Sequence, residues 1–92
     1  MSIIKGKVVD KKTGEGIQAK VIFHTKNHKD SLDTKVDGSF EKSVVENTVV
    51  GVDIYKKDYF FDTQMVKARK NTVIMSIPLL PVEVGEKVSI KN

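Results

Sequence analysis

Apolar side chains recur at every second position along most of this 92-residue chain. In the first such run Ile4, Gly6 and Val8 share one face, while Lys5 and Lys7 point to the other. A period of two is typical of β-strands that bury one face and leave the other in water. No segment of ten or more residues shows the 3.6-residue period of an amphipathic helix. The pattern therefore predicts an all-β protein.

Clusters of turn residues and charges divide the alternation into short runs. These runs predict strands at residues 4–8, 18–26, 31–36, from 39, 48–55, 59–66 and 72–80, with a last strand over 82–90 that Gly85 interrupts. The residues expected to share one face of their strands are Ala19, Val21, Phe23 and Thr25, then Leu32, Thr34 and Val36, then Phe40 and Val44, then Val50, Val52 and Ile54. Short strands at this spacing predict a seven- to eight-stranded β-sandwich, antiparallel or mixed.

Two short motifs add local predictions. Asp37-Gly38 lies between two alternating runs, which indicates a tight hairpin in which both turn residues take positive φ and the third and fourth strands pair. Pro78 has no amide hydrogen to donate to a ladder. We therefore expect it at a sheet edge or at the end of its strand.

Composition excludes several classes of function. The chain has no Cys, so disulfides, thiolate nucleophiles and Cys-based metal sites are ruled out. Its net charge of +4 comes from lysines spread over every segment, and Arg69 is the one arginine. Because Arg supplies the two-pronged contact to phosphates and base edges, we expect a solvated surface and no nucleic-acid partner. No apolar run approaches the roughly 20 residues of a membrane-spanning helix, so we expect a chain that does not span a membrane.

Catalytic and metal-binding patterns are weak. His24 is predicted to point outward from the second strand and His28 to lie in the next loop, where the two could approach each other, but no third zinc ligand stands at motif spacing. Asp30, Asp33 and Asp37 might suggest a calcium loop, but Leu32 and Val36 place the segment in a strand and the EF-hand spacing with its distal Glu is missing. We expect Asp37 to serve as a turn residue. No Gly-x-Ser-x-Gly segment occurs. We expect no catalytic residues, no metal and no cofactor.

Aromatic residues concentrate between the fifth and sixth strands. Together with two lysines they form the candidate ligand surface, which consists of Tyr55, Lys56, Lys57, Tyr59, Phe60 and Phe61. Rings beside ammonium groups can stack on sugars or on single-stranded nucleic acid. Alternation favours a different interpretation, in which alternate rings fill the core and residues 56–58 form a turn.

The first two strands carry a family resemblance. Residues 6–17 read G-K-V-V-D-K-K-T-G-E-G-I, and A-K-V follows at 19–21. This resembles the opening of carboxypeptidase regulatory-like domains, a transthyretin-like β-sandwich family whose pattern is a strand, Asp, Thr-Gly, a small loop and an Ala-x-Val strand. Residues 37–40 are similar to the family's turn into its next strand. Tyr59 stands where the family often has Gly-Tyr, with Asp58 in place of the glycine.

The end of the chain carries a second resemblance. Residues 79–88 read L-L-P-V-E-V-G-E-K-V, which is similar to the linker strand that leaves this sandwich before a peptidoglycan-binding domain of the outer-membrane-protein-A type in Bacteroidetes envelope proteins. We therefore expect a sandwich over 1–81 and a final edge strand or exit linker over 82–92. The resemblance implies the periplasm or cell envelope if the chain is an excised domain, whereas Met1 as the native start implies the cytoplasm.

Three functions follow in order of preference. The resemblance implies a non-enzymatic spacer or protein-interaction module of a bacterial cell-envelope protein, whose partners are neighbouring domains or envelope proteins. The alternative is a carbohydrate- or glycan-binding module that uses the aromatics between Tyr55 and Phe61. A small hydrolase comes last, because the hydroxyisourate hydrolases of this fold end in Tyr-Arg-Gly-Ser and this chain ends in V-S-I-K-N.

Overall fold

The computed structural model describes residues 1–82, and over that range the chain forms seven strands and no helix. The strands are β1 (Ser2–Asp10), β2 (Lys20–His24), β3 (Lys29–Asp33), β4 (Ser39–Val44), β5 (Thr48–Tyr55), β6 (Asp62–Ala68) and β7 (Val73–Leu79). Within the same range no helical segment is long and apolar enough to cross a bilayer. The all-β prediction is confirmed. Apart from its first residue, the predicted last strand over 82–90 lies outside the described residues, and the division at residue 82 stays a prediction.

The strands form two sheets that pack as a sandwich. One sheet has the order β4-β1-β7, in which β1 pairs antiparallel with β4 and parallel with β7. The other has the order β3-β2-β5-β6 and is antiparallel throughout. The strand arrangement is therefore mixed, as the sequence allowed. β7 lies at a sheet edge, which confirms the prediction from Pro78.

The core lies between the two sheets and follows the period-two pattern. Val50, Val52 and Ile54 of β5 are fully buried, as their shared face predicted. The rings of Phe23 and Phe40, from opposite sheets, meet edge to face with centroids 5.7 Å apart. The other buried apolar residues are Ile4, Val8, Ile17, Ala19, Val21, Val44, Ala68, Met75, Ile77 and Leu79. Removal of this apolar surface from water supplies the main stabilisation.

The region around Asp37-Gly38 differs from the prediction. β3 ends at Asp33, and Val36 is 81% exposed instead of facing the core. β3 and β4 belong to different sheets, so the predicted hairpin pairing is wrong. The turn itself is present, because the Gly38 amide donates to the Lys35 carbonyl at 2.8 Å, but within residues 1–82 only Gly38 of this pair has positive φ, at 87°. Here the chain crosses from one sheet to the other.

The sixth strand also begins later than predicted. It starts at Asp62, not at Tyr59. The preceding residues pair elsewhere: Tyr59 forms a bridge with Pro81, and the Phe60 amide donates to the Leu80 carbonyl at 2.9 Å. The segment 59–61 is thereby held against the end of β7, outside the β5–β6 ladder.

Candidate functional site

A tight turn follows the end of β5. The Tyr59 amide donates to the Lys56 carbonyl at 3.1 Å, and Asp58 takes a positive φ of 71°. Asp is among the residues that tolerate this left-handed conformation. The predicted turn over 56–58 is present, and the two lysines stand exposed on it.

Three of the four aromatic side chains at this turn are exposed. Tyr55 is 44%, Phe60 54% and Phe61 53% exposed. Tyr55 follows the buried Ile54 and so points to the opposite, outer face of its sheet. Tyr55, Tyr59 and Phe61 alternate along the chain, and of these only Tyr59 packs against the core. The interpretation in which alternate rings fill the core is therefore wrong for Tyr55 and Phe61.

Tyr55 and Phe61 form a ring pair. Their centroids are 4.9 Å apart and their planes are inclined by 45°. With Lys56, Lys57 and Tyr59 they line an open depression of about 290 Å³. Phe60 is equally exposed but does not line it. We refer to Tyr55, Lys56, Lys57 and Phe61 as the ring surface.

Tyr59 has a different role from its neighbours. It is partly buried against the core, and its hydroxyl donates to Asp10 Oδ2 at 2.6 Å. Asp10 Oδ1 accepts the amides of Lys12 and Thr13 at 2.7 and 3.0 Å. The bond between Tyr59 and Asp10 is the main cause that raises the pKa of the Tyr59 hydroxyl and lowers the pKa of the Asp10 carboxyl. Tyr59 thus anchors the turn that carries the ring surface.

A hydrogen-bonded row of polar side chains lies beside the ring pair, and sequence reasoning missed it. His24 Nε2 lies 3.1 Å from Asp53 Oδ2, and the Thr63 hydroxyl donates to Asp53 Oδ1 at 2.6 Å. The His24 ring lies over Gly51, where a Cβ atom would come within 2.5 Å of Cε1. Gly51, which interrupts the valines of β5, was the sequence feature that could have indicated a side chain packed closely over this strand. Since Asp53 is two residues from Tyr55 on the same strand face, about 6.5 Å separates the row from the rings.

His24 and His28 line one open depression of about 480 Å³, as the sequence allowed, but they bond different carboxylates. His28 contacts Asp30 Oδ2 at 3.3 Å, whereas His24 contacts a different carboxylate. Asp30 also accepts the Lys42 ammonium at 2.7 Å, which is the main cause that lowers its pKa. Asp37 serves the turn, since it accepts the Ser39 hydroxyl at 2.6 Å and the Ser39 amide at 3.0 Å. Over residues 1–82 no three His, Asp or Glu side chains converge as metal ligands would.

A second depression lies at the opposite side of the fold, between the β2–β3 turn and β4. Its volume is about 440 Å³, and Phe23, His28, Lys42 and Val44 are among its lining residues. Its two central charged groups, Lys42 and Asp30, already pair with each other.

No protein-family model matches the chain, and the search of curated proteins found no match. Solved structures are similar to it in fold. A putative carbohydrate-binding protein from Bacteroides uniformis superposes with a TM-score of 0.71 at 11% identity, over 87% of this chain and 41% of its own. A DUF3823 family protein from the same species gives 0.60 at 15% identity, over 86% and 43%. A chain of a type II cohesin–X-dockerin complex from Acetivibrio cellulolyticus gives 0.60 at 17% identity, over 87% and 56%.

These likenesses establish the β-sandwich fold. The chain spans 41% to 56% of the length of the three structures, so it corresponds to one part of each of them. With the sheet topology described above, they confirm the predicted fold class.

Proposed function

We propose that this chain is a non-enzymatic β-sandwich module that binds carbohydrate through the ring surface. The observation that carries the proposal is the exposure of Tyr55 and Phe61 in mutual contact on the outer face of a sheet. Large apolar side chains that cluster in water mark interaction sites. The apolar face of a pyranose can stack on such rings and cover them.

The surroundings of the rings also suit a sugar. A sugar needs hydrogen-bonding partners for its hydroxyls as well as an apolar platform. Asp53 and Thr63 carry a carboxylate and a hydroxyl on the same face of the sheet as Tyr55, two residues along the chain from the rings. His24 contacts the same carboxylate. The likeness to a protein named for carbohydrate binding supports the same ligand class.

The scaffold holds the site in place before a ligand arrives. Tyr55 is the last residue of β5, which is paired on both sides by β2 and β6. The turn that follows is tied to the β1 loop through Tyr59 and Asp10. A site on a rigid element loses less conformational entropy when it binds.

Removal of either stacking ring is expected to weaken polysaccharide binding about tenfold. A nucleic-acid base stacked on an aromatic side chain contributes about 1–3 kcal/mol, and we take the lower part of that range for a sugar ring. A loss of about 1.4 kcal/mol raises the dissociation constant tenfold. The measurement is the dissociation constant of wild type, Tyr55→Ala and Phe61→Ala by affinity electrophoresis and calorimetry against a panel of plant, algal and cell-wall polysaccharides.

Phe60→Ala is the matched control for this test. Phe60 is as exposed as Phe61 but does not line the depression, so its removal should leave binding within twofold of wild type. Equal losses in Phe60→Ala and Phe61→Ala would contradict the proposed site. No binding to any polysaccharide by a folded wild-type protein would contradict the function.

A second candidate function is a protein-interaction or spacer module of a cell-envelope protein. The β5–β6 face also exposes Val49 and Met65, apolar side chains that a protein partner would cover. The Asp10 loop supports membership in the carboxypeptidase regulatory-like family, because the carboxylate of Asp10 accepts the amides of Lys12 and Thr13 where that family has Asp followed by Thr-Gly. Folded protein that binds no polysaccharide in the panel would favour this candidate.

A further inference from the structure

We propose that the ligand of the ring surface is an acidic polysaccharide, that is, one that carries carboxylate or sulfate groups. The inference rests on the carbohydrate-binding function proposed above and adds the charge of the ligand. It comes from the cationic groups that surround the rings.

Three lysines stand beside the ring pair. Lys56 and Lys57 line the depression together with Tyr55 and Phe61. Lys20 of β2 is the cross-strand partner of Tyr55, and both residues are exposed on the outer face. Direct cross-strand neighbours have Cβ atoms about 4.5–5.5 Å apart. A ligand stacked on the rings therefore lies within reach of three ammonium groups.

Within the described residues 1–82, these lysines form no ion pair with the protein's own carboxylates. Among residues 1–82, none of the ion pairs within 4 Å involves Lys20, Lys56 or Lys57, although Lys42 pairs with Asp30 at 2.7 Å and Lys5 with Glu41 at 3.6 Å. An anionic group could approach all three without displacing an internal partner.

The carboxylates nearest in register and sequence do not cancel this charge by direct pairing. Asp33 is opposite Lys20 across the β2–β3 ladder, and Asp58 follows Lys57 in the turn. Asp53, on the same face, is already bonded to His24 and Thr63. Asp53 keeps its negative charge in these bonds, but within residues 1–82 no carboxylate lines the depression, whereas Lys56 and Lys57 do. The charge in direct contact with a bound ligand is therefore positive, which complements an anionic polymer.

The type of cation agrees with a polymeric ligand. Lysine is a strongly hydrated point charge without the fixed fork of arginine, so it selects for charge and not for one bidentate geometry. The depression is open, which suits a chain that lies along the surface. Ion pairs at an exposed surface weaken with salt, so binding should as well.

The test uses ligands matched in backbone and different in charge. Polygalacturonate is compared with its fully methyl-esterified form, and dextran sulfate with dextran, at low and high NaCl. We expect each acidic polymer to bind at least tenfold more tightly than its neutral partner at low salt, and the difference to shrink at high salt. Preference for one acidic polymer over the other identifies carboxylate or sulfate as the recognised group.

Two charge-matched variants locate the effect. Lys20→Gln/Lys56→Gln/Lys57→Gln removes three charges beside the ring pair, and Lys7→Gln/Lys35→Gln/Lys70→Gln removes three exposed charges elsewhere. The first should abolish the preference for acidic polymers while it keeps the circular dichroism and melting curve of wild type. The second should retain that preference.

The outcomes separate this inference from the function on which it rests. Equal affinity for polygalacturonate and its methyl ester would overturn the inference and leave carbohydrate binding in place. Equal losses in the two triple variants would also overturn it, because bulk charge would then explain the preference. No binding to any of the four polymers, or to any of the wider panel, would overturn the proposed function itself.

Discussion

Replacement of Gly38 by alanine is expected to lower the free energy of unfolding by about 2–6 kcal/mol, the sum of left-handed backbone strain and overpacking. Gly38 has φ of 87°, and a Cβ atom there would lie 2.2 Å from the Val8 carbonyl oxygen and 2.9 Å from the Ile17 nitrogen. Both contacts are with backbone, so no side chain can move aside. The Val8 amide also donates to the Gly38 carbonyl at 2.8 Å, and this hydrogen bond holds the two backbone segments close together.

Gly14→Ala is the matched control for Gly38→Ala. Gly14 has almost the same φ, 81°, but no atom lies within 4 Å of its Cβ position. It should lose only the conformational preference of glycine, about 1 kcal/mol. Urea unfolding of the two variants, followed by circular dichroism, measures the difference. Equal destabilisation would contradict the close backbone packing at Gly38.

Thr34→Val is expected to lower the free energy of unfolding by about 2–6 kcal/mol, because it leaves one buried donor and one buried acceptor unsatisfied at about 1–3 kcal/mol each. Thr34 is 1% exposed. Its hydroxyl accepts the Ala19 amide at 2.8 Å and donates to the Ile17 carbonyl at 2.8 Å. Valine has the same shape but can satisfy neither group.

The control for this substitution is Thr63→Val, on the exposed side of β6. Its hydroxyl bonds Asp53 at the surface, where water can replace it, so stability should change by less than about 0.5 kcal/mol. Thermal and urea unfolding of both variants provide the comparison. A Thr34→Val protein as stable as Thr63→Val would show that the hydroxyl does not hold the chain where it crosses between the sheets.

The sequence predicted the strands well because burial on one face imposes its own period. β5 is the clearest case, where Val50, Val52 and Ile54 were assigned to one face and all three are fully buried. Pro78 was informative for a similar local reason, since its missing amide hydrogen is a property of the residue itself.

Pairing between strands could not be read in the same way. Asp37-Gly38 makes a tight turn whether the flanking strands pair with each other or enter different sheets. Contacts with other strands decide between these two arrangements, because β3 pairs with β2 in one sheet and β4 pairs with β1 in the other. Val36 continues the period-two pattern of Leu32 and Thr34 in sequence. In the structure it lies in the segment that crosses between the sheets, where its side chain is exposed.

The candidate surface shows the same division between local and distant causes. The turn at residues 56–58 followed from composition, whereas the position of Tyr59 against the end of β7 depends on its bridge with Pro81. The row formed by His24, Asp53 and Thr63 depends on the register of three strands. Neither the bridge nor the register is visible in local periodicity.

The most direct test of carbohydrate binding at the ring surface is a map of backbone amide shifts by ¹⁵N NMR during titration with oligogalacturonate. The account predicts that the largest changes fall on Lys20, residues 53–57 and residues 61–63, which surround the ring pair. Changes centred on Phe23, His28 and Lys42, which line the second depression, would contradict it.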